Sequence, residues 1–207
     1  MTRQLIVEGN DEVKIIEKLF MRLKLPRNFE LVDGEGNETV RRSLSVRIKA
    51  ANPEDIIGIV IDAEKSLENS WKSIRNSFIK NGYSVPKSLP KSGGIYTQAE
   101  LPKVGVWVMP NNDDEGMIED FIRLLVPEND DLMPLVKQTL TKIQTQNLER
   151  FKPTFRAKAL IHTWLAWQSK PGTPLGQAVF KKYIDTDKQL CQDFIAWLQQ
   201  LFDNKKP

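Results

Sequence analysis

Four short apolar blocks punctuate the first 110 residues, and each is closed by turn-forming or acidic residues. Gln4–Val7 runs into Glu8-Gly9. Phe29–Val32 runs into Asp33-Gly34-Glu35-Gly36-Asn37. Ile56–Ile61 runs into Asp62-Ala63-Glu64, and Val104–Met109 into a polar stretch from Pro110 to Gly116. Their lengths and boundaries predict buried strands. The third block, Ile56-Ile57-Gly58-Ile59-Val60-Ile61, is apolar at every position but its glycine, as a central parallel strand covered on both faces requires.

Helical spacing fills the intervals. Asn10 or Asp11 can cap a helix carrying Val13, Ile16, Leu19, Phe20 and Leu23 on one side. A second helix is expected from Glu38 to about Ala51. A third is expected from Leu67 to Asn81, with Trp71, Ile74, Phe78 and Ile79 inward. Residues 82–102 hold Pro86, Pro90, Pro102 and Gly93-Gly94, so they predict a long loop with room for a short strand. A helix beginning near Gly116 carries Glu119 and Asp120. The remainder is helical, roughly 132–148, 154–168 and 187–203, with Phe155, Leu160, Trp164 and Trp167 as one stripe. Tandem strand–helix units imply an α/β fold. The expectation is a parallel sheet of about four strands flanked by helices (residues 1–130), with a helical C-terminal extension (residues 131–207) packed on it.

Composition adds exclusions. With 40% hydrophobic and 28% charged residues the chain can bury a core, and no apolar run is long enough to span a membrane. The opening Met1-Thr2-Arg3-Gln4 leads directly into the first strand pattern, unlike a signal peptide. The single cysteine, Cys191, excludes an internal disulfide and a thiolate zinc cluster, so a reducing cytoplasm is expected. The net charge of +3 is no sign of a nucleic-acid surface, but its distribution is uneven: residues 67–103 carry 6 basic and 2 acidic side chains, and residues 104–131 carry 1 and 8.

Ligands of parallel sheets bind at the carboxyl ends of the strands. There stand Glu8, Asp33, the pair Asp62 and Glu64, and the run Asp113–Glu115. In extended backbone Asp62 and Glu64 point the same way. Clustered oxygen ligands suit Mg²⁺ or Mn²⁺ rather than a soft metal. Acids also occupy strand ends simply because loops are polar, and from spacing alone the two readings are balanced. Of Glu119 and Asp120, adjacent on a helix, only one can face the site, and Glu119 is favoured. Lys158 and His162 share a helix face.

The segment Leu5-Ile6-Val7-Glu8-Gly9-Asn10-Asp11-Glu12 resembles the first motif of the TOPRIM domain shared by topoisomerases, primases and several nucleases. Ile59-Val60-Ile61-Asp62-Ala63-Glu64 is similar to its Asp-x-Asp motif, with Glu64 where the pattern has Asp. The segments Val106–Asn111, Gly116–Phe121 and Lys158–His162 resemble small prokaryotic TOPRIM-like proteins related to the overcoming-lysogenization-defect (OLD) nucleases. The resemblance covers about residues 4–202. It implies a TOPRIM/Rossmann-like sheet and a Mg²⁺- or Mn²⁺-dependent nuclease. In that reading Asp62, Glu64 and Glu119 hold metal, while Glu8 and Lys158 act catalytically. Asp33, Asp120 and His162 are weaker candidates, and the nucleic-acid-binding residues stay unassigned.

No Gly-x-x-x-x-Gly-Lys-Ser/Thr stretch exists, so an ATPase would have to act in trans. Nucleic acid is the expected substrate and no membrane partner is expected. One alternative is a catalytically degenerate TOPRIM-like binding or regulatory module working with a partner protein. A receiver-like phosphoacceptor at Asp62 fits worst, because Glu8 stands alone where an acidic pair is needed.

Overall fold

The structure of the protein, a computed structural model, describes residues 1–203. Its strands are β1 (Arg3–Val7), β2 (Glu30–Asp33), β3 (Ile56–Asp62), β4 (Gly94–Tyr96) and β5 (Lys103–Met109). The helices are α1 (Asn10–Arg22), α2 (Asn37–Ala50), α3 (Leu67–Lys80), α4 (Ile118–Leu124), α5 (Leu132–Thr145), α6 (Arg156–Ala166), α7 (Leu175–Phe180) and α8 (Gln189–Phe202). The strands form one sheet in the order β2-β1-β3-β5-β4. The pairs β1–β2, β1–β3 and β3–β5 are parallel, and β4 is antiparallel on β5. The protein is thus α/β, with a five-stranded, mostly parallel sheet flanked by helices. The four expected strands are the parallel ones. The fifth, β4, lies in the proline-rich loop, where three residues are too short to leave a periodic signal.

Alternation along the strands divides the core in two. Leu5 and Val7, Ile56 and Val60, and Trp107 and Met109 join α1, α4, α5, α6, α7 and α8 in one apolar cluster. Ile6, then Ile57, Ile59 and Ile61, then Val104, Val106 and Val108 face the other way, onto α2 and α3. Period-two patterning is invisible in β3 because both of its faces are covered. The C-terminal helices share their cluster with α1 and the sheet, so core and extension meet in continuous packing. The last part of the expected extension, residues 204–207, lies outside the described residues.

Two glycines set the height of α8. Gly58 and Gly105 are paired in register on β3 and β5. A Cβ on Gly105 would come within 2.6 Å of Leu201 Cδ2, and one on Gly58 within 2.9 Å of the same atom. The bare backbone forms a notch that seats Leu201. Further along α8, Trp197 donates its indole N–H to Gly94 O at 3.2 Å and so clamps β4 at the sheet edge.

Cations fasten the helical side. Lys188 Nζ donates to Leu124 O (3.1 Å) and Val126 O (2.8 Å), capping the end of α4. Arg22 donates to Val179 O and Ile184 O at 3.0 and 2.8 Å, fixing the end of α7 to α1. The helix α7 escapes sequence reading because six residues with Gly176 among them show no periodicity. Close approach explains that glycine: a Cβ there would stand 3.0 Å from the Lys14 backbone. Two expected stripes need correcting. Ile79 is 46% exposed, and Phe155 and Trp167 are 47% and 42% exposed, whereas Trp164 is fully buried. Both errors come from extending a helical stripe into terminal turns that face outward. No helix among the described residues is long and apolar enough to cross a membrane.

Because backbone borders the Gly105 notch and Leu201 fills it, Gly105→Val should force α8 off the sheet. The expected loss is about 1–3 kcal/mol of unfolding free energy, read as a lower urea midpoint. An unchanged midpoint would show that Leu201 can simply rotate away.

Candidate functional site: a carboxylate cluster at the strand ends

Parallel pairing in register puts the ends of β1 and β3 side by side, with Val7 opposite Val60. Glu8 follows β1 and Asp62 ends β3, and the two meet: the Asp62 backbone N–H donates to Glu8 Oε2 at 3.2 Å. Asp62 is 8% exposed, Glu12 5% and Glu119 2%. All three enter through geometry that their local sequence favours. Glu12 is the third residue of α1 and accepts the N–H of Gly9 at 2.9 Å, closing the first turn. Glu119 lies in the first turn of α4. Helix N-termini favour negative charge, and two of them open onto this corner of the sheet.

A two-residue antiparallel bridge ties the corner together. Glu64 N donates to Gly116 O at 2.8 Å and Gly116 N donates to Glu64 O at 2.9 Å. Gly116 has φ +136, and a Cβ there would sit 2.6 Å from Asp120 Oδ2. The glycine therefore lets Asp120 accept the Met117 N–H at 3.2 Å and start α4.

Burial and mutual repulsion dominate the electrostatics. Desolvation lifts the Asp62 carboxyl well above its ordinary range, and the fields of Glu8, Glu12 and Glu119 lift it further; the Ile118 backbone N–H pulls the other way. Glu8 is raised chiefly by burial, opposed by the Asp62 N–H and by the Arg41 charge, with Glu64 adding repulsion. Burial, joined by Glu8 and Glu119, pushes Glu12 up to about 7. Against these acids stands Lys158, whose Nζ is 3.0 Å from Glu119 Oε1. Desolvation works against its charge, but the Glu119 bond and the fields of Asp11 and Glu12 outweigh it and raise its pKa.

The sequence candidates separate accordingly. Glu8, Asp62, Glu119 and Lys158 come together. Glu64 does not align with Asp62 as extended backbone would require. The strand ends at Asp62, the Gly116 bridge turns the chain, and Glu64 adopts φ +54 with an exposed side chain. It still lies in the field of Glu8. Asp120 serves as the α4 cap and pairs with Arg123 at 3.2 Å. Asp33 is exposed and accepts the N–H of Glu35 at 2.9 Å, a turn role. His162 is exposed on α6. The acids after β5 turn away as well. Asp113 pairs with Lys91 at 2.6 Å and Asp114 accepts from the Asn111 amide at 2.8 Å, because buried Asn112 anchors the loop through Val108 N at 2.7 Å.

Three participants escaped sequence reasoning. Glu12 had a signal, its capping distance from Gly9. Asn37 and Arg41 had none, because their roles depend on the loop after β2 folding back. Gly34 permits that fold: a Cβ there would stand 2.7 Å from Val7 O. Asn37 then donates its amide to Asp62 O at 3.3 Å, Arg41 Nε donates to Asn37 Oδ1, and Arg41 reaches Ser70 Oγ at 2.9 Å.

Two observations bear on a metal. Asp62 Oδ1 is buried with no hydrogen-bond partner, the condition a cation ligand would relieve. Yet among the described residues no three His, Cys, Asp or Glu side chains already stand as a ligand set. The donors suit a hard dication in kind, all oxygen, but would have to draw together to hold one.

An α/β protein with acids gathered at the carboxyl ends of its central strands is the class that fold and site define. The chain belongs to the family described as a protein of unknown function (DUF3226), whose model matches residues 2–203. No curated protein and no solved structure matches it.

The raised carboxyls make a pH prediction. A carboxyl whose pKa is higher folded than unfolded binds its proton more tightly in the native state. Its contribution to stability is therefore complete below about 4.5 and falls as pH rises through about 7 for Glu12. Glu12→Gln keeps an acceptor for the Gly9 N–H and removes the charge. In EDTA it should stabilise the protein at pH 8 by on the order of 2 kcal/mol and make little difference at pH 4.5. Urea unfolding at the two pH values measures this, and equal effects at both would contradict the desolvation account.

Proposed function

We propose that the protein is a Mg²⁺- or Mn²⁺-dependent phosphodiesterase acting on nucleic acid through the carboxylate cluster at the ends of β1 and β3. The observation that carries the reading is the buried, unpartnered Oδ1 of Asp62 among three further acids. Such repulsion is costly unless a proton or a cation relieves it. The TOPRIM-like order of Glu8 and Asp62 on successive central strands supports the same reading.

Asp62 and Glu119 would hold the cation, with Glu8 beside them and Glu64 at the exposed rim. A bound dication would supply an activated water and neutralise charge at the leaving oxygen. Glu8, half-buried and raised in pKa, is suited to take a proton from that water. Lys158 is partly exposed and already directed at the cluster, so its ammonium can face the phosphoryl oxygens as charge develops.

A second reading, a binding or regulatory module that keeps the fold without catalysis, is favoured by one feature. Lys158 already neutralises Glu119, so the corner is partly satisfied without metal. An ATPase partner in trans is compatible with either reading.

Purified full-length protein with Mn²⁺ or Mg²⁺ should hydrolyse bis(p-nitrophenyl) phosphate and labelled oligonucleotides. Asp62→Asn should lower the rate about 100-fold or more with an unchanged circular dichroism spectrum, and it should weaken Mn²⁺ binding in calorimetry. Mn²⁺ binding that is unaffected by Asp62→Asn, with no hydrolysis under either metal, would reject the catalytic reading in favour of the module.

A further inference from the structure

Basic residues of α2, α3 and the proline-rich loop line two clefts on the face of the sheet covered by α2 and α3. A cleft of about 460 Å³ between these helices is lined by Arg41, Arg42, Lys49 and Lys80 and by no acid. A second cleft, about 670 Å³, adjoins it through Asn76 and continues between α3 and the proline-rich loop. Its charged lining is Lys72, Arg75, Lys87 and Lys91 against Glu68 and Asp113. Lys91 pairs with Asp113 and Arg42 with Glu38. Among the described residues Lys49, Lys72, Lys80 and Lys87 have no acidic partner within ion-pair distance, and all four are exposed. These ammonium groups are therefore left without an acidic counter-charge along the two clefts.

The track has a direction. Arg41 lines its inner end and is held by Asn37 and Ser70, and the Asn37 amide rests on the Asp62 carbonyl. A cationic groove thus leads through one buried-edge arginine to the carboxylate corner. A polymer carrying a regular series of anions fits a two-cleft track better than a single small anion does, because each cleft offers separate, flexible ammonium groups.

We infer that the α2–α3 face, from Lys87 and Lys72 through Lys80 and Lys49 to Arg41, binds the phosphate backbone of a nucleic-acid strand and leads it to the carboxylate cluster. The inference rests on the phosphodiesterase reading for what happens at the end of the track, but the binding itself requires no metal. Sequence specificity is not expected from lysines that contact phosphate alone.

Fluorescence anisotropy in EDTA tests it, using a labelled 30-residue DNA duplex and a single-stranded RNA of the same sequence from 50 to 200 mM salt. Lys72→Glu/Lys80→Glu changes the groove. Lys137→Glu/Lys142→Glu makes the same charge change on exposed positions of α5. The groove pair should weaken binding about tenfold at low salt and lower the magnitude of the salt slope by about 2. The α5 pair should stay within about twofold. Whichever nucleic acid binds, its loss in the groove variant alone supports the inference. Equal loss in both variants, no binding of either strand, or binding only to phosphatidylserine vesicles overturns it. Because hydrolysis of bis(p-nitrophenyl) phosphate needs no track, failure of the groove and failure of the catalytic site are read separately.

Discussion

Burying Asp62 beside other carboxylates is the constraint around which the site is built. An acid at the end of a fully covered central strand loses most of its water, and the neighbouring strand and two helix starts bring Glu8, Glu12 and Glu119 toward it. The fold offsets this with the Ile118 N–H, Lys158 on Glu119 and the Arg41 charge near Glu8. None of these satisfies Asp62 Oδ1. A purely structural corner would more simply carry Asn or Ser there, since an apolar or neutral replacement removes the repulsion at little cost. That unpartnered, repelled carboxyl is what the proposed cation-dependent role rests on.

The scaffold holds the corner by close backbone approach more than by large side chains. Gly34 lets the loop after β2 fold against β1, and Gly116 admits the Asp120 cap. Gly58 and Gly105 bring α8 down onto the sheet. Continuous packing of α1 with α4 through α8 makes the C-terminal helices part of that support, and it is α6 that delivers Lys158. The α2–α3 face contributes differently. Its charge lies on lysines and arginines, and Arg41 connects it through Asn37 to the buried corner.

Legibility varied with the kind of interaction. The four parallel strands and their order along the chain were readable because each leaves a short apolar block that acids and glycines terminate, most plainly in β3, which is covered on both faces. Glu8 and Asp62 were readable for the same reason, being fixed by strand ends. Choosing Glu119 over Asp120 needed only helical geometry, and in the structure Glu119 meets Lys158 while Asp120 caps α4. Extrapolation along extended backbone misplaced Glu64, because the bridge to Gly116 intervenes from a segment distant in the chain. The acids after β5 were misread because buried Asn112 redirects that loop.

Sequence by itself determined the α/β class, the central strand β3 and the identity of the acids at its end, since these follow from local apolar length and turn chemistry. Tertiary structure alone decided that β4 exists, that Glu12 joins the cluster, and that Arg41 reaches it through Asn37. It also decided that lysines from separate segments form one groove. Local pattern records what a residue must bury. Which charges then become neighbours depends on how distant segments pack, and Coulomb interactions leave no periodicity in the chain to announce it.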